Sequence, residues 1–464
     1  MSSRLQTAAL CAILTACLAG AGLLDMEIAR ARDARRPGIG TLKGASPGVM
    51  LAVTALGGFR GVIVDLLWGR ASELQDRGAY FEIAQLADWI TKLEPEFTGV
   101  WAFHAWNMAY NISYMFPDER DRWRWVRNGI SLLRDEGLEI NSDDAGLCLE
   151  LGWIYQHKIG GIFDTAHPYF RVQLAAEMHS ALGGPGPAGL EGPRLAGFKA
   201  RFKLDPDEMR RIDSRYGPLD WRLPETHSAY WALQAMARPV KGATILSANR
   251  MLYQSLAEAF RNGRLEFNPE TGLYATRPNI ELLPRVLRAF DEALAEHDDR
   301  TFHEAYANFM GEAVMTLFTF NRRAAARELY GRMLARYPWP GAPASAEDFI
   351  YQNLVRALQQ ERGSTTTALV ESFLFQAFIQ FAEGEEERAA GFHALAKLLW
   401  HQHMKDLSEE LVRTSGLPPL EDLRRTAFER ALMEVRGEAQ RARLEAYAEL
   451  AAGGVNIVGG QDEP

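Results

Sequence analysis

The stretch CLELGWIY, Cys148 to Tyr155, decides how the chain is read. It sets a cysteine, a glycine and a tryptophan inside an apolar run. As chemistry, Cys148 is a nucleophile; as packing, it is a small buried hydrophobe. Packing is the better reading. Cys148, Leu151 and Tyr155 recur at helical spacing and fall on one stripe, with the small Gly152 beside them. The other cysteines, Cys11 and Cys17, lie in an N-terminal apolar run, so neither a disulfide framework nor a thiolate zinc site can be built in the body.

The chain has 464 residues, 47% hydrophobic and 24% charged, which is enough apolar material for a core. Its net charge of -9 argues against general polyanion binding, and no nucleic-acid partner is expected. Arg4 precedes an uncharged run from Ala8 to Leu24 at the short limit for a bilayer span. Three readings of residues 1–24 stay open. They are an export signal cleaved near Ala19-Gly20-Ala21, a retained anchor, or a lipoprotein signal with Cys17 as the lipidated residue. All three place the body outside the cytosol, at the cell envelope, membrane-associated and on the periplasmic or extracytoplasmic side. A fourth reading makes the run a buried first helix of a cytosolic protein. Residues 25–48 are basic and rich in Gly and Pro, as in a juxtamembrane linker.

From Val49 onward helical periodicity dominates. Cys148, Leu151, Gly152 and Tyr155 match three of four positions of the pattern W-x2-L-G-x2-Y. In an earlier unit Gly78 closes a turn, Tyr80, Ile83, Ala87 and Ile90 form a stripe, and Pro95 ends the unit. Its first helix carries Leu67, Ala71 and Leu74 at packing positions. A step of about 34 residues leads from Leu67 to Trp101, with Ala105 and Met108 following on spacing. Later units carry Ala326, Tyr330 and Pro338, then Gly384, Ala389 and Ala396. On these motifs the chain resembles the tetratricopeptide-repeat family over about 63–180 and 300–405. LADWITKLEP (86–95) and VWAFHAWNMAYNIS (100–113) also resemble bacterial envelope proteins with such repeats, a resemblance that brings no activity with it. It implies an all-α, right-handed solenoid of antiparallel helix pairs with an irregular helical insertion.

The middle breaks the period. Residues 183–193 form a Gly/Pro loop. A helix starts at Asp205 as cap, with Pro206 first and Glu208 completing a capping box. Helices are expected over about 224–238, 243–262 and 279–297, with a small hairpin in RLEFNPETGLYATR (264–277). Leu420 to Ala452 reads as one long amphipathic helix. The expected organisation is a signal or anchor at 1–24, a linker at 25–48, repeats at 49–182, an insertion at 183–299, repeats at 300–405, a helical cap at 406–452 and a tail at 453–464.

No phosphate loop, dinucleotide fingerprint, HExxH or GxSxG motif is present. Two residues apart on a helix, His401 and His403 point away from each other, so no metal site and no cofactor are expected. Asp164 and His167 read as a turn and helix cap rather than an acid/base pair, and Asp220, Arg222, Glu225 and His227 as a rigid corner rather than a ligand site. The tryptophans cluster between Trp68 and Trp153. The resemblance assigns the fifth, ninth and thirteenth positions of each first helix to a concave face. These are Trp68, Ser72 and Asp76; Ala102, Trp106 and Tyr110; and Leu149, Trp153 and His157. Either the rings line a groove edged by Asp76 and His157, or the register is off by one and they are core. Asn107 and Asn111 beside them make either a hydrogen-bond ladder between helices or contacts to a peptide backbone.

The functional expectation is a non-enzymatic scaffold that binds a protein or peptide partner through Trp68, Asp76, Trp106, Tyr110, Trp153, His157, Asn107 and Asn111. The alternative is an envelope carbohydrate-binding protein or hydrolase, with a site around Asp164, His167, Asp220 and His227.

Overall fold

The structure is a computed structural model. It describes residues 60–239, 242–360, 365–405 and 417–452, with the isolated Gly20 and Glu27. The expectations for the run Ala8–Leu24, for lipidation at Cys17, for the linker and for the tail lie outside the described residues. Among the described residues no helix is long and apolar enough to cross a membrane.

Among the described residues the fold is all-α, with one small antiparallel hairpin. The chain divides into two compact units at Ala293/Leu294. The first holds α1 (Arg60–Asp76), α2 (Tyr80–Leu93), α3 (Thr98–Trp106), α4 (Glu119–Ser131), α5 (Ala145–Trp153), α6 (His167–Leu182), α7 (Gly192–Phe202), α8 (Pro206–Tyr216), α9 (Pro224–Met236) and α10 (Ala243–Asn262). The strands β1 (Arg264–Asn268) and β2 (Leu273–Arg277) pair as the expected hairpin, and α11 (Leu283–Glu296) runs across the division. The second unit holds α12 (Arg300–Thr319), α13 (Arg323–Arg336), α14 (Ala346–Gln360), α15 (Thr366–Ala382), α16 (Glu386–Lys405), α17 (Leu420–Glu434) and α18 (Glu438–Ala452).

Local sequence explains the helix boundaries. Gly78 takes φ +69°, a left-handed turn open to glycine without strain, and reverses the chain from α1 into α2. On α2 the buried stripe is Ile83, Ala87 and Ile90. Asp118 caps α4 and Asp144 caps α5 through their carboxylates. Asp205 caps α8 by accepting from Asp207 N–H. The expected capping box is not closed, because the Asp205 N–H is given to the Tyr230 hydroxyl at 3.1 Å and Glu208 pairs with Arg211.

Helix pairs α1–α2 and α3–α4 pack as antiparallel neighbours. A methyl group on Gly129 of α4 would lie 2.8 Å from the Ala105 carbonyl oxygen of α3, so the backbones touch where the sequence has small residues. Gly152 of α5 also marks a close approach, but its neighbours differ from those of a simple repeat. A side chain there would collide with Met251 of α10 and meet the Ser228 carbonyl of α9. α5 packs chiefly on α9, a helix of the expected insertion whose first turns are buried on every side, the polar residues Glu225, Thr226, His227 and Ser228 included.

α3, α4 and α5 each continue into a π-helical turn, at Asn107–Ile112, Leu132–Gly137 and Ile154–Ile159. In the second unit α12–α13 and α15–α16 pair, and Gly384 closes the latter turn at φ +86°. The expected single helix from Leu420 is two helices. The chain breaks at Val435 in extended conformation (ψ 120°), and Gly437 precedes α18. Folding back lets Leu444 and Tyr447 join the core formed by α15 and α17.

Candidate functional site

The first unit presents an aromatic face built from two matching helices. On α3 and its π-turn, Trp106 stacks on Tyr110 at 5.6 Å between ring centres. On α5 and its π-turn, Trp153 stacks on His157 at 4.7 Å with planes 11° apart. Both pairs are four residues apart. That spacing puts the two rings of each pair on the same helix face. The Tyr110 hydroxyl and His157 Nδ1 meet at 3.3 Å, joining the two stacks. Phe163, from the loop after the Gly160-Gly161 turn, covers the other face of His157 at 4.4 Å. Trp106 is 36% exposed, Trp153 41% and Phe163 76%, while Tyr110 and His157 between them are half-buried.

The charges behind the rings are fixed. Lys158 lies 5.2 Å from the Tyr110 ring centre and pairs with Asp164 at 2.5 Å. Asp164 also takes Arg122 at 3.0 Å and the Ala166 N–H at 2.9 Å. Burial raises the Asp164 carboxyl, but Lys158, the Ala166 N–H and Arg122 outweigh it and hold it below the usual carboxylate range. Burial, then Lys158, lowers His157. Burial raises the Tyr110 phenol, so it stays protonated as a hydrogen-bonding group.

Other residues expected at this face lie elsewhere. Trp68 packs on Phe103 at 5.0 Å and Phe97 at 6.2 Å, in a cluster of its own. Asp76 is exposed at the end of α1. Asn107 is fully buried and donates to the Tyr80 carbonyl at 3.1 Å, while Asn111 donates to Asn107 Oδ1 at 3.0 Å. The two amides are therefore the interhelical ladder, and Asn107 offers nothing to a ligand.

The remaining candidates are structural. Cys148 is fully buried, and burial pushes its thiol up to about 12. His167 Nδ1 binds the Asp164 carbonyl at 2.9 Å, so the pair holds the turn. Arg222 forks onto Asp220 at 2.9 and 2.6 Å and donates to the Leu265 carbonyl, pinning the corner to β1. His227 donates from Nε2 to the Trp221 carbonyl at 3.0 Å, and burial depresses it to about 4. Glu225 is 2% exposed, with neither carboxylate oxygen hydrogen-bonded among the described residues. Burial raises it to about 7 against the opposing charge of Arg171. His401 and His403 lie on α16, and among the described residues no group of three or more His, Cys, Asp or Glu is placed to hold a metal ion.

The sequence reading missed Phe163 and the cleft of the second unit. That cleft, of about 400 Å³, lies between α12 and α14 and includes Met315, Trp339, Phe349 and Arg356. At its floor a methyl group on Gly311 would sit 3.2 Å from Phe349. The signal for Phe163 was present: two large apolar residues following two glycines make an unusually apolar turn.

No family model, curated protein or solved structure matches the chain.

Proposed function

We propose that the chain is a tetratricopeptide-like scaffold, held at a cell envelope by its N-terminal apolar run, that binds an extended segment of a partner protein across the aromatic face of its first unit. One observation carries this reading. Two neighbouring helices each carry a tryptophan stacked on the ring four residues later, and the half-buried Tyr110–His157 contact joins the two stacks. Such rings offer large contact area at small entropic cost, because stacking already restricts them. The close pairing of α3 with α4 at Ala105 and Gly129 supports the repeat reading.

The alternative of a hydrolase or sugar-binding site near 160–230 has less support. The carboxylates of Asp164 and Asp220 are taken by Lys158, Arg122 and Arg222.

The test is purification of the tagged full chain from its native host, identification of the co-purifying protein, and titration of the two purified components. Trp106→Ala and Trp153→Ala should each weaken binding by about 30-fold or more, as at an interface hot spot. Affinities within twofold of the parent would overturn the reading.

A further inference from the structure

Three turns of the first unit, 77–79, 113–118 and 160–166, are gathered at one end. Phe81, in the first turn of α2, packs edge-on against Phe116 at 6.3 Å and Trp125 at 5.9 Å. Arg122 donates from Nε to the Phe116 carbonyl at 2.5 Å and from Nη1 to Asp164 at 3.0 Å and Thr165 at 3.3 Å. The two later loops are thus clamped side by side.

Large apolar groups face outward from the start of α2 and from the two later turns. Phe81 is 48% exposed, Tyr114 68%, Met115 50%, Ile162 82% and Phe163 76%. A single exposed hydrophobe needs no explanation, but a cluster on clamped loops does. At the opposite end, where Asn141 donates to the Pro95 carbonyl, the connection 141–144 is polar, and the exposed Phe97 beside it packs on Trp68.

We infer that this loop rim is a membrane-contacting surface that enters the interfacial layer of a bilayer. The shape favours lipid over protein. Ile162 keeps four-fifths of its surface in solvent, so it protrudes, and a protruding apolar tip suits a deformable apolar medium better than a flat protein face. Tyr114 adds a ring with a polar end, which suits the headgroup level. The neighbouring charges are mixed, with Asp118, Glu119 and Arg120 together, so contact is driven by apolar insertion and does not require anionic lipid. The sequence itself supplies a lipid-compatible run, Ala8–Leu24, and residues 25–59 reach up to about 120 Å, enough to lay the rim on the same bilayer. The rim shares Phe163 with the partner-binding face, so the test changes Ile162 and Met115, which belong to the rim alone.

The test uses the full chain reconstituted into phosphatidylcholine vesicles that contain a lipid with a photoreactive diazirine high in its acyl chain. Cross-links are mapped by mass spectrometry. Adducts are expected on 113–116 and 160–165 as well as within 1–24. With Ile162→Asp and Met115→Asp together, the loop adducts should fall about fivefold or more, while the N-terminal adducts and the melting temperature stay unchanged. Adducts confined to 1–24 in the parent, or loop adducts unchanged in the variant, would each overturn the inference.

Discussion

Tyr110 and His157, 47 residues apart in sequence, bring a hydroxyl and a ring nitrogen to 3.3 Å and so join two helices through their π-turns. That contact makes one face out of two ring stacks. Tyr110→Phe removes it and leaves the stacking in place. The expected cost is about 0.5–1.5 kcal/mol of stability, read by denaturant titration. An unchanged midpoint would show that the contact contributes nothing.

Behind that face, Asp164 neutralises Lys158, which is 4% exposed. Asp164→Asn leaves the ammonium buried without its counter-charge, at an expected cost of about 3–5 kcal/mol. Adding Lys158→Met to that variant should recover a large part of the loss. If the single and double variants melted together, the pair would not be the fastener of the loop.

Glu225 gives a pH signature. Its folded value of about 7 lies above its ordinary 4.5, so the folded state holds a proton that the unfolded state has lost between these values. Its stabilising contribution is complete below about pH 4.5 and is lost as pH rises through 7, by on the order of 3 kcal/mol. His227 and His104, both depressed to about 4 by burial, act with the opposite sign and lose stability as pH falls from 6.5 toward 4. Glu225→Gln removes only the first effect. The variant should match the parent near pH 4.5 and exceed it at pH 8. A difference between the two proteins that stays constant with pH would contradict this assignment.

Two glycines should respond differently to alanine. At Gly391 the new methyl group meets the Thr319 carbonyl and Asn321 backbone; at Gly152 it first meets the flexible end of Met251. Gly391→Ala should cost about 1–3 kcal/mol, or more, and Gly152→Ala less, because a thioether moves aside and a backbone does not. Equal losses in thermal melts would refute the packing described at α5.

Features set by neighbouring residues were legible in the sequence. The hairpin at 264–277, the Asp205 cap and the turns at Gly78 and Gly384 follow from local chemistry. Long-range competition was not legible. The Tyr230 hydroxyl takes the N–H that Glu208 would have bound, and α9 takes the flank of α5 that a repeat would give to the following helix. At the site, the spacing of Trp106 with Tyr110 and of Trp153 with His157 was visible. The π-turns and the burial of Asn107 depend on tertiary packing and were not. The break at Val435–Gly437 was not legible, because the charged periodicity runs straight across it.

Hydroxyl-radical footprinting of the full chain, alone and with its purified partner, tests most directly whether the aromatic face is the recognition surface. Oxidation of Trp106, Trp153 and Phe163 should fall several-fold in the complex, with Trp89 and Trp339, of similar exposure to Trp106 and Trp153, unchanged. Protection at Trp339 with Trp106 and Trp153 still fully reactive would place recognition in the second unit and contradict the account.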